Sequence, residues 1–176
     1  MDVVRKSWLE GQLEEGMKLA ATSDVLTLHP GPGVPPQEYL ARFDCPTMVK
    51  ERGAMPQQHM GFDVLIRFPP DYLRSVPNPA LVVALLSPQS AYHPNVAPPF
   101  LCLGNIAPGT SLAELIYQIF EIMTFKKLTP SEPDALNTEA CSWARNHMDL
   151  FPLTSRPLRR REISLDISEI ASETAQ

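Results

Sequence analysis

Proline placement limits the folds open to this chain more than any other feature of its sequence. There are 19 prolines in 176 residues, about twice the ordinary share of roughly 5%. They fall mostly between apolar runs, as in the segment 30–36 (PGPGVPP) and the pair Pro69-Pro70. Because proline lacks a backbone N–H and interrupts helices and central strands, these positions mark the ends of regular elements and stiffen the connections between them.

The segments between the prolines predict one helix followed by four strands. Residues 2–21 carry apolar side chains at helical spacing, with charged residues on the other side, which is typical of an amphipathic helix. Four shorter runs, alternating or wholly apolar, predict strands over residues 24–29, 38–44, 61–68 and 80–86. The polar stretch at 46–58 predicts a loop. The fourth run, ALVVALL, is apolar throughout and therefore predicts a central strand.

The second half of the chain predicts a long irregular segment and two helices. Residues 87–110 show no regular periodicity, yet they are too apolar for a disordered region, and such segments are usually functional. Ser111-Leu-Ala-Glu114 is a capping box, which predicts the start of a helix with one apolar face. A further helix is predicted over 137–148. The pattern ends after Pro152, and residues 153–176 are predicted to form a tail.

This order of elements indicates an α+β domain. A block of strands with helices at both ends predicts a four-stranded antiparallel meander sheet, with an N-terminal helix before it and C-terminal helices after it. We therefore divide the chain into a domain at 1–152 and a C-terminal tail at 153–176. Hydrophobic residues make up 44% of the chain, which is enough for a real core.

Charge and hydropathy narrow the classes of function. The net charge of −5 argues against sequence-independent nucleic-acid binding, which needs a basic face. No run approaches the roughly 20 apolar residues that span a bilayer. The N-terminus carries acidic residues where a signal peptide needs an apolar stretch. We therefore expect a cytoplasmic protein without a nucleic-acid or membrane partner.

The three cysteines, Cys45, Cys102 and Cys141, are widely spaced. Their number is odd, and they form neither a CxxC pair nor a Cys/His cluster with zinc spacing. The pattern predicts free thiols in a reducing compartment, with no metal and no cofactor.

Residues 60–148 contain a series of short motifs in a definite order. Phe68-Pro-Pro-Asp-Tyr72 follows the third predicted strand, and His93-Pro94-Asn95 is preceded by the aromatic Tyr92. Cys102-Leu103 comes next, and residues 134–140 form an acidic turn before the next predicted helix. These motifs resemble, in turn, four parts of the core of ubiquitin-conjugating (E2) enzymes: the turn after the third strand, the HPN tripeptide, the catalytic Cys-Leu pair and the acidic turn. The tripeptide alone would be a weak signal, but this order of motifs is much more specific.

The resemblance implies a UBC-like fold and a transferase that carries a ubiquitin-like modifier as a thioester on Cys102. It also implies that Asn95 stabilises the oxyanion formed during transfer and that Asp134 orients the incoming amine. The residues Tyr92, His93 and Pro94 would support the active-site loop. The implied partners are an E1-like activating enzyme, the modifier and an acceptor protein.

Among E2 enzymes, the chain looks most like bacterial E2-like proteins encoded beside a ubiquitin-like protein, an E1-like enzyme and a deubiquitinase-like peptidase. That likeness implies a role in antiviral defence. The chain departs from the family pattern in four ways: Asn95 and Cys102 are one residue closer than usual, the tryptophan after the cysteine is missing, the loops match no recognisable E3-binding set, and the long fourth helix is absent. Use of an E3 ligase therefore stays open.

The residue types suit this chemistry, but each also has a structural interpretation. Exchange between thioesters needs a thiol whose pKa resembles that of the leaving thiol, and a neutral amide donor can stabilise the oxyanion. Cys102, by its spacing alone, would more often be a small apolar residue in a strand. Asn95 could equally be a turn residue that bonds its own backbone, and Asp134 a helix-initiating acid.

Two other functions remain open from the sequence. A catalytically inactive UBC-like or RWD-like interaction module would keep the fold and bind a ubiquitin-like partner without carrying it. A Cys/His hydrolase would use Cys102 as nucleophile and His93 as base. That hydrolase requires the imidazole within hydrogen-bond reach of the sulfur, together with a third group that orients it.

Overall fold

A computed structural model of the chain describes residues 2–75, 78–129 and 131–160. Four helices lie in this part of the chain: α1 (Val3–Ala21), the single turn α2 (Pro79–Val82), α3 (Leu112–Met123) and α4 (Thr138–Arg145). There are six strands: β1 (Leu26–Pro30), β2 (Glu38–Val49), β3 (Gln57–Arg67), β4 (Val83–Ser87), β5 (Val96–Ala97) and β6 (Phe100–Leu101). Short 3₁₀ turns occupy Glu132–Asp134 and Met148–Leu150.

The first four strands form one antiparallel sheet in the order β1-β2-β3-β4. The predicted α+β architecture, with an N-terminal helix before a four-stranded meander, is confirmed. The predicted loop at 46–58 is wrong, because only residues 50–56 connect β2 to β3. An irregularity between Phe43 and Pro46 shifts the register, after which the Pro46–Val49 segment pairs with the Gln57–Met60 segment. Pro46 on β2 and the polar residues Gln57–His59 on β3 conceal this extension of the hairpin.

The prediction that the fourth run is a central strand is also wrong. β4 lies at the edge of the sheet, and its expected first residues form the helical turn α2 instead. The edge is nevertheless partly covered, since the Leu85 N–H donates to the Pro99 carbonyl at 2.8 Å. This cover, supplied by the segment around β5 and β6, explains how an edge strand can be so apolar.

α1 and α3 pack against one face of the sheet and enclose the main core. The predicted capping box of α3 is confirmed by the reciprocal hydrogen bonds of Ser111 and Glu114. The buried Gln12 of α1 accepts a hydrogen bond from the Leu112 N–H at 2.7 Å, which joins the two helices. At Gly16 the helices approach closely, because a Cβ there would lie 2.6 Å from Leu112 Cδ2.

The Arg5 side chain fixes the first turn of α1 to the segment that follows β3. Its guanidinium donates to the carbonyls of Phe68, Pro69 and Pro70 and to Gln37 Oε1, at distances of 2.7–3.1 Å. The residue is only 8% exposed. Burial lowers the pKa of Arg5 and the carboxylate of Asp71 partly opposes this shift, so the four acceptors compensate a desolvated charge.

The irregular segment 87–110 contains a small hairpin, because β5 pairs with β6. It also forms an isolated bridge between Ala91 and Val49 at the end of β2. A second apolar cluster covers this region and contains Met48, Tyr92, Phe125, Ala140 and Ala144. The helix predicted over 137–148 is shorter than expected, since α4 ends at Arg145 and a separate 3₁₀ turn follows it.

The chain continues past Pro152 along the surface of the domain as far as Arg160. Leu158 is buried in the main core, the Leu153 N–H donates to the Thr124 carbonyl at 3.0 Å, and the Arg160 N–H donates to the Thr22 carbonyl at 2.8 Å. The first eight residues of the predicted tail therefore belong to the packed structure. Its remainder, residues 161–176, lies outside the described residues. Within the described ranges, no helix combines the length and the apolar character that crossing a membrane requires.

Candidate active site

Cys102 immediately follows the β5–β6 hairpin, which positions its backbone. Its neighbours Leu101 and Leu103 are buried, whereas Cys102 itself is partly exposed. The Cys102 N–H donates to the Asn95 carbonyl at 2.8 Å. The two leucines anchor the segment in the core, so the cysteine between them is held at the rim of the fold.

The other two cysteines are sealed in the interior, where both are 0% exposed. Burial raises the pKa of Cys45 to about 12, and the charge of Asp44 adds to this effect. The Cys141 thiol donates to the Thr129 carbonyl at 3.4 Å. Because a thiolate is the reacting species and a polypeptide tail must reach it, Cys102 is the best placed of the three thiols for chemistry with another protein.

His93 is buried beneath this loop, with 1% of its surface exposed. Its Nδ1 accepts the Asn95 N–H at 2.9 Å, and its ring packs edge-on against Phe125 with centroids 4.2 Å apart. Because Nδ1 is the acceptor, the neutral ring carries its proton on Nε2. Burial lowers the pKa of His93 to about 3, and the Lys127 backbone opposes that shift only in part.

This placement removes the contact that a Cys/His hydrolase requires. The Nδ1 atom of His93 is engaged by Asn95, and Nε2 has no hydrogen-bond partner among the described residues. Neither ring nitrogen is hydrogen-bonded to the Cys102 sulfur. The histidine therefore holds the loop in shape through the Asn95 backbone, as a neutral ring.

The Asn95 side chain bridges two segments that are 34 residues apart. Its Oδ1 accepts the Thr129 N–H at 2.9 Å, and its Nδ2 donates to the Thr129 hydroxyl at 2.7 Å. A longer contact of 3.5 Å joins Nδ2 to the Cys102 carbonyl. Asn95 does not bond its own backbone through this amide, so the simple turn interpretation does not describe it. Its role in oxyanion stabilisation stays a prediction.

The acidic turn is attached to the same loop through the buried Pro94. The Pro94 carbonyl accepts the Asn137 N–H at 3.1 Å, and the Asn137 side chain in turn caps α4 through the Ala140 N–H at 2.9 Å. Asp134 lies three residues before Asn137 and is exposed, and its carboxylate makes no hydrogen bond or ion pair within the described part of the chain. The role of this carboxylate in orienting an incoming amine remains a prediction.

Tyr92 connects the loop to α4 and to the end of β2. Its ring meets Trp143 in a T-shaped contact with centroids 5.8 Å apart, and the Lys50 ammonium lies 5.1 Å from its centroid. Lys50 also pairs with Glu139 at the start of α4, and this hydrogen bond is the main cause that raises the pKa of Lys50. Tyr92 and Pro94 thus both connect the loop to α4 or its cap residue, whereas His93 connects it to Phe125 after α3.

Thr129 is the residue at this site that the sequence motifs miss. It belongs to none of the motifs quoted above, yet it contacts Asn95 through both its hydroxyl and its backbone. Only the three-dimensional proximity of the segment after α3 reveals it. Within residues 2–75, 78–129 and 131–160, no group of three or more His, Cys, Asp or Glu side chains is arranged to hold a metal ion.

Comparison with known proteins adds no relative of this chain. No protein-family model and no curated protein sequence matches it. The resemblance to ubiquitin-conjugating enzymes therefore rests on the motifs between residues 60 and 148 and stays a prediction.

Proposed function

We propose that this chain is an E2-like transferase with a UBC-like fold, which accepts a ubiquitin-like modifier from an E1-like enzyme as a thioester on Cys102 and passes it to an amine. The observation that carries the proposal is the partial exposure of Cys102 beside the Asn95 amide, while Cys45 and Cys141 are inaccessible. The order of helix, meander sheet, hairpin and helices is compatible with this assignment.

The proposed reaction consists of two acyl transfers. In the first, the Cys102 thiolate attacks the modifier's thioester on the activating enzyme; the new C–S bond forms and the activating enzyme's thiolate leaves. In the second, an uncharged amine attacks the carbonyl carbon on Cys102. A C–N bond forms, the C–S bond breaks, the amine loses a proton and Cys102 is regenerated. Asn95 would donate to the transient oxyanion, and the exposed Asp134 carboxylate would accept a hydrogen bond from the amine.

A charging assay tests the proposal. The purified chain is mixed with ATP and with the E1-like enzyme and modifier encoded by neighbouring genes, which is the arrangement that the bacterial resemblance predicts. We expect a band of higher mass on a non-reducing gel that thiol reductant removes. Cys102→Ser should give a reductant-resistant ester, and Cys102→Ala should give no adduct.

Cys45→Ala is the matched control and should charge to the same extent as the parent protein if it remains folded, because its thiol is buried. Cys141→Ala should also still form the reductant-sensitive adduct, because the Cys141 thiol is buried as well. If charging persists in Cys102→Ala and disappears in one of these variants, the thioester forms on that other cysteine and the assignment to Cys102 is wrong. A chain that binds the modifier, but forms no covalent adduct under any condition, would be the interaction module and not the carrier.

A further inference from the structure

The Asn95 amide can adopt only one orientation in its present surroundings. Its Oδ1 lies 2.9 Å from the Thr129 backbone N–H, and its Nδ2 lies 2.7 Å from the Thr129 hydroxyl. Exchanging the two ends of the amide would set Nδ2 against that N–H, donor against donor. Because the backbone N–H can only donate, Thr129 fixes which end of the amide is the oxygen.

The same two bonds direct the second hydrogen of Nδ2. A planar amide nitrogen carries two hydrogens, and the Thr129 hydroxyl engages one of them. The other faces the Cys102 carbonyl, but the N···O distance of 3.5 Å makes this a weak hydrogen bond. One donor is therefore held beside the cysteine without being committed to a strong partner.

The backbone of Thr129 is itself anchored. Its carbonyl accepts the thiol of the buried Cys141, which lies on α4, at 3.4 Å. α4 begins at the cap residue Asn137, whose N–H donates to the Pro94 carbonyl beside Asn95. A closed path of hydrogen bonds thus joins Asn95, Thr129, α4 and the loop, so the threonine cannot move independently of the amide.

We propose that Thr129 is a positioning residue, which locks the plane of the Asn95 amide so that one Nδ2 hydrogen is directed at the backbone carbonyl of Cys102, where it can bond a negatively charged oxygen formed on an acyl group carried by that residue. This inference rests on the proposed acyl transfer at Cys102. Thr129 does not itself touch the reacting atoms; it acts through Asn95. The hydroxyl is the group that a substitution can remove, because the backbone N–H is retained in any substitution other than proline. Without the hydroxyl, Nδ2 loses its stronger partner and the amide is held through its oxygen alone.

A small acyl group tests the inference without an activating enzyme. S-phenyl thioacetate transfers its acetyl group to the Cys102 sulfur and releases thiophenol. Hydroxylamine then attacks the carbonyl carbon, forming a C–N bond as the C–S bond breaks; the products are acetohydroxamate and the free thiol. Intact-mass spectrometry follows the loss of the acetyl group in a single turnover, and Cys102→Ala identifies any label on another residue.

We expect Thr129→Val, which keeps the shape and loses the hydroxyl, to slow hydroxylamine discharge about tenfold. Thr129→Ser should restore the rate to within about threefold of the parent protein. In an Asn95→Ala background, Thr129→Val should cause no additional loss, because its effect passes through the amide. A general structural defect would slow the double variant further. Thr110→Val also removes one hydroxyl hydrogen bond, to the Ala107 carbonyl at 2.9 Å, and should leave the rate unchanged.

Equal discharge rates for the parent protein and a folded Thr129→Val would overturn the inference, as would equal losses in the Asn95 and Asn95→Ala backgrounds. If Thr129→Val does not fold, the parent protein still decides the matter by NMR. Locked geometry requires that one Asn95 side-chain amide proton exchanges slowly with solvent and shows a nuclear Overhauser effect to the Thr129 side chain. If both amide protons exchange as fast as those of an exposed asparagine and neither shows this effect, the lock is refuted.

The result is separable from the test of the proposed function. If charging by an activating enzyme fails while the acetylated protein shows the expected rates, the carrier function is wrong and the positioning role of Thr129 stands. If charging succeeds and Thr129→Val discharges normally, the carrier function stands and the positioning role is wrong.

Discussion

Replacing Arg5 with methionine removes four hydrogen bonds that hold α1 to the rest of the domain. Its acceptors are three successive carbonyls, those of Phe68, Pro69 and Pro70, and the side chain of Gln37. Methionine keeps much of the aliphatic stem, so the packing of that stem is largely retained. The change therefore isolates the hydrogen bonds of the guanidinium from its bulk.

The magnitude follows from how deeply each acceptor is buried. The bond to the Phe68 carbonyl is fully buried at 2.8 Å, and losing such a charge-assisted bond costs about 1.5–3 kcal/mol. The three other bonds are only partly buried, so water can replace the donor there and each loss costs about 0.5 kcal/mol. We expect Arg5→Met to lower the free energy of unfolding by about 3–4.5 kcal/mol. For a chain of this length, that corresponds to a fall in Tm of roughly 10 °C.

Urea denaturation followed by circular dichroism measures this loss, with an unchanged slope against urea concentration. Arg74→Met is the matched control, because Arg74 also joins α1 to the segment after β3, through an exposed pair with Asp2 at 2.7 Å. Exposed pairs contribute about 0–1 kcal/mol, so this control should lie within 1 kcal/mol of the parent protein. A loss below 1 kcal/mol in Arg5→Met would refute the argument that these bonds fix the helix.

Two further predictions concern the core and the loop. Gly11→Ala, where a Cβ meets nothing within 4 Å, should stabilise the protein by about 0.5–1 kcal/mol. Gly16→Ala, with its Cβ 2.6 Å from Leu112 Cδ2, should destabilise it by about 1 kcal/mol. Thermal unfolding should therefore show a higher Tm for the first variant and a lower Tm for the second, and changes of the same sign would contradict this. The pKa of His93 is lowered to about 3 from 6.5, so the unfolded chain binds more protons than the folded chain between these values and the free energy of unfolding falls as the pH is lowered. Between pH 7 and pH 5 this loss is about 2 kcal/mol, and His93→Asn, which keeps an acceptor for the Asn95 N–H, should lose correspondingly less in urea titrations at the two pH values; an equal loss would show that His93 is not its source.

α1, α3 and the strand order could be predicted from the sequence because they depend on local patterns. In α3 apolar residues recur at helical spacing, and Ser111 with Glu114 marks its start. The buried side of α1, by contrast, combines Leu9 and Leu19 with polar residues such as Gln12. The length of the β2–β3 hairpin could not be predicted, because Gln57–His59 on its outer part are polar and pair only after a shift in register near Pro46. The edge position of β4 could not be predicted either. The Leu85 N–H at this edge donates to the Pro99 carbonyl, and Pro99 lies in a segment without a periodic pattern.

The candidate site divides in the same way. Cys102 and Asn95 were located by short motifs, which record residues close together along the chain. The two hydrogen bonds between Thr129 and the Asn95 amide could not be located in this way. Thr129 follows α3 and contacts the amide only after the sheet, hairpin and helix have assembled. A polar residue after a helix is common, and nothing in its neighbourhood distinguishes this threonine from others.

The burial of His93 bears on why a carrier would place its histidine below the loop. A thioester must survive until an amine arrives, and a free imidazole beside it would assist attack by water. Here Nδ1 is occupied by the Asn95 N–H, and desolvation keeps the ring neutral at any pH above about 3. The ring thus shapes the loop without offering a base to solvent at the sulfur. A nucleophile that is reachable, together with a histidine that is not, is the combination expected of a site that holds an acyl group and does not hydrolyse it.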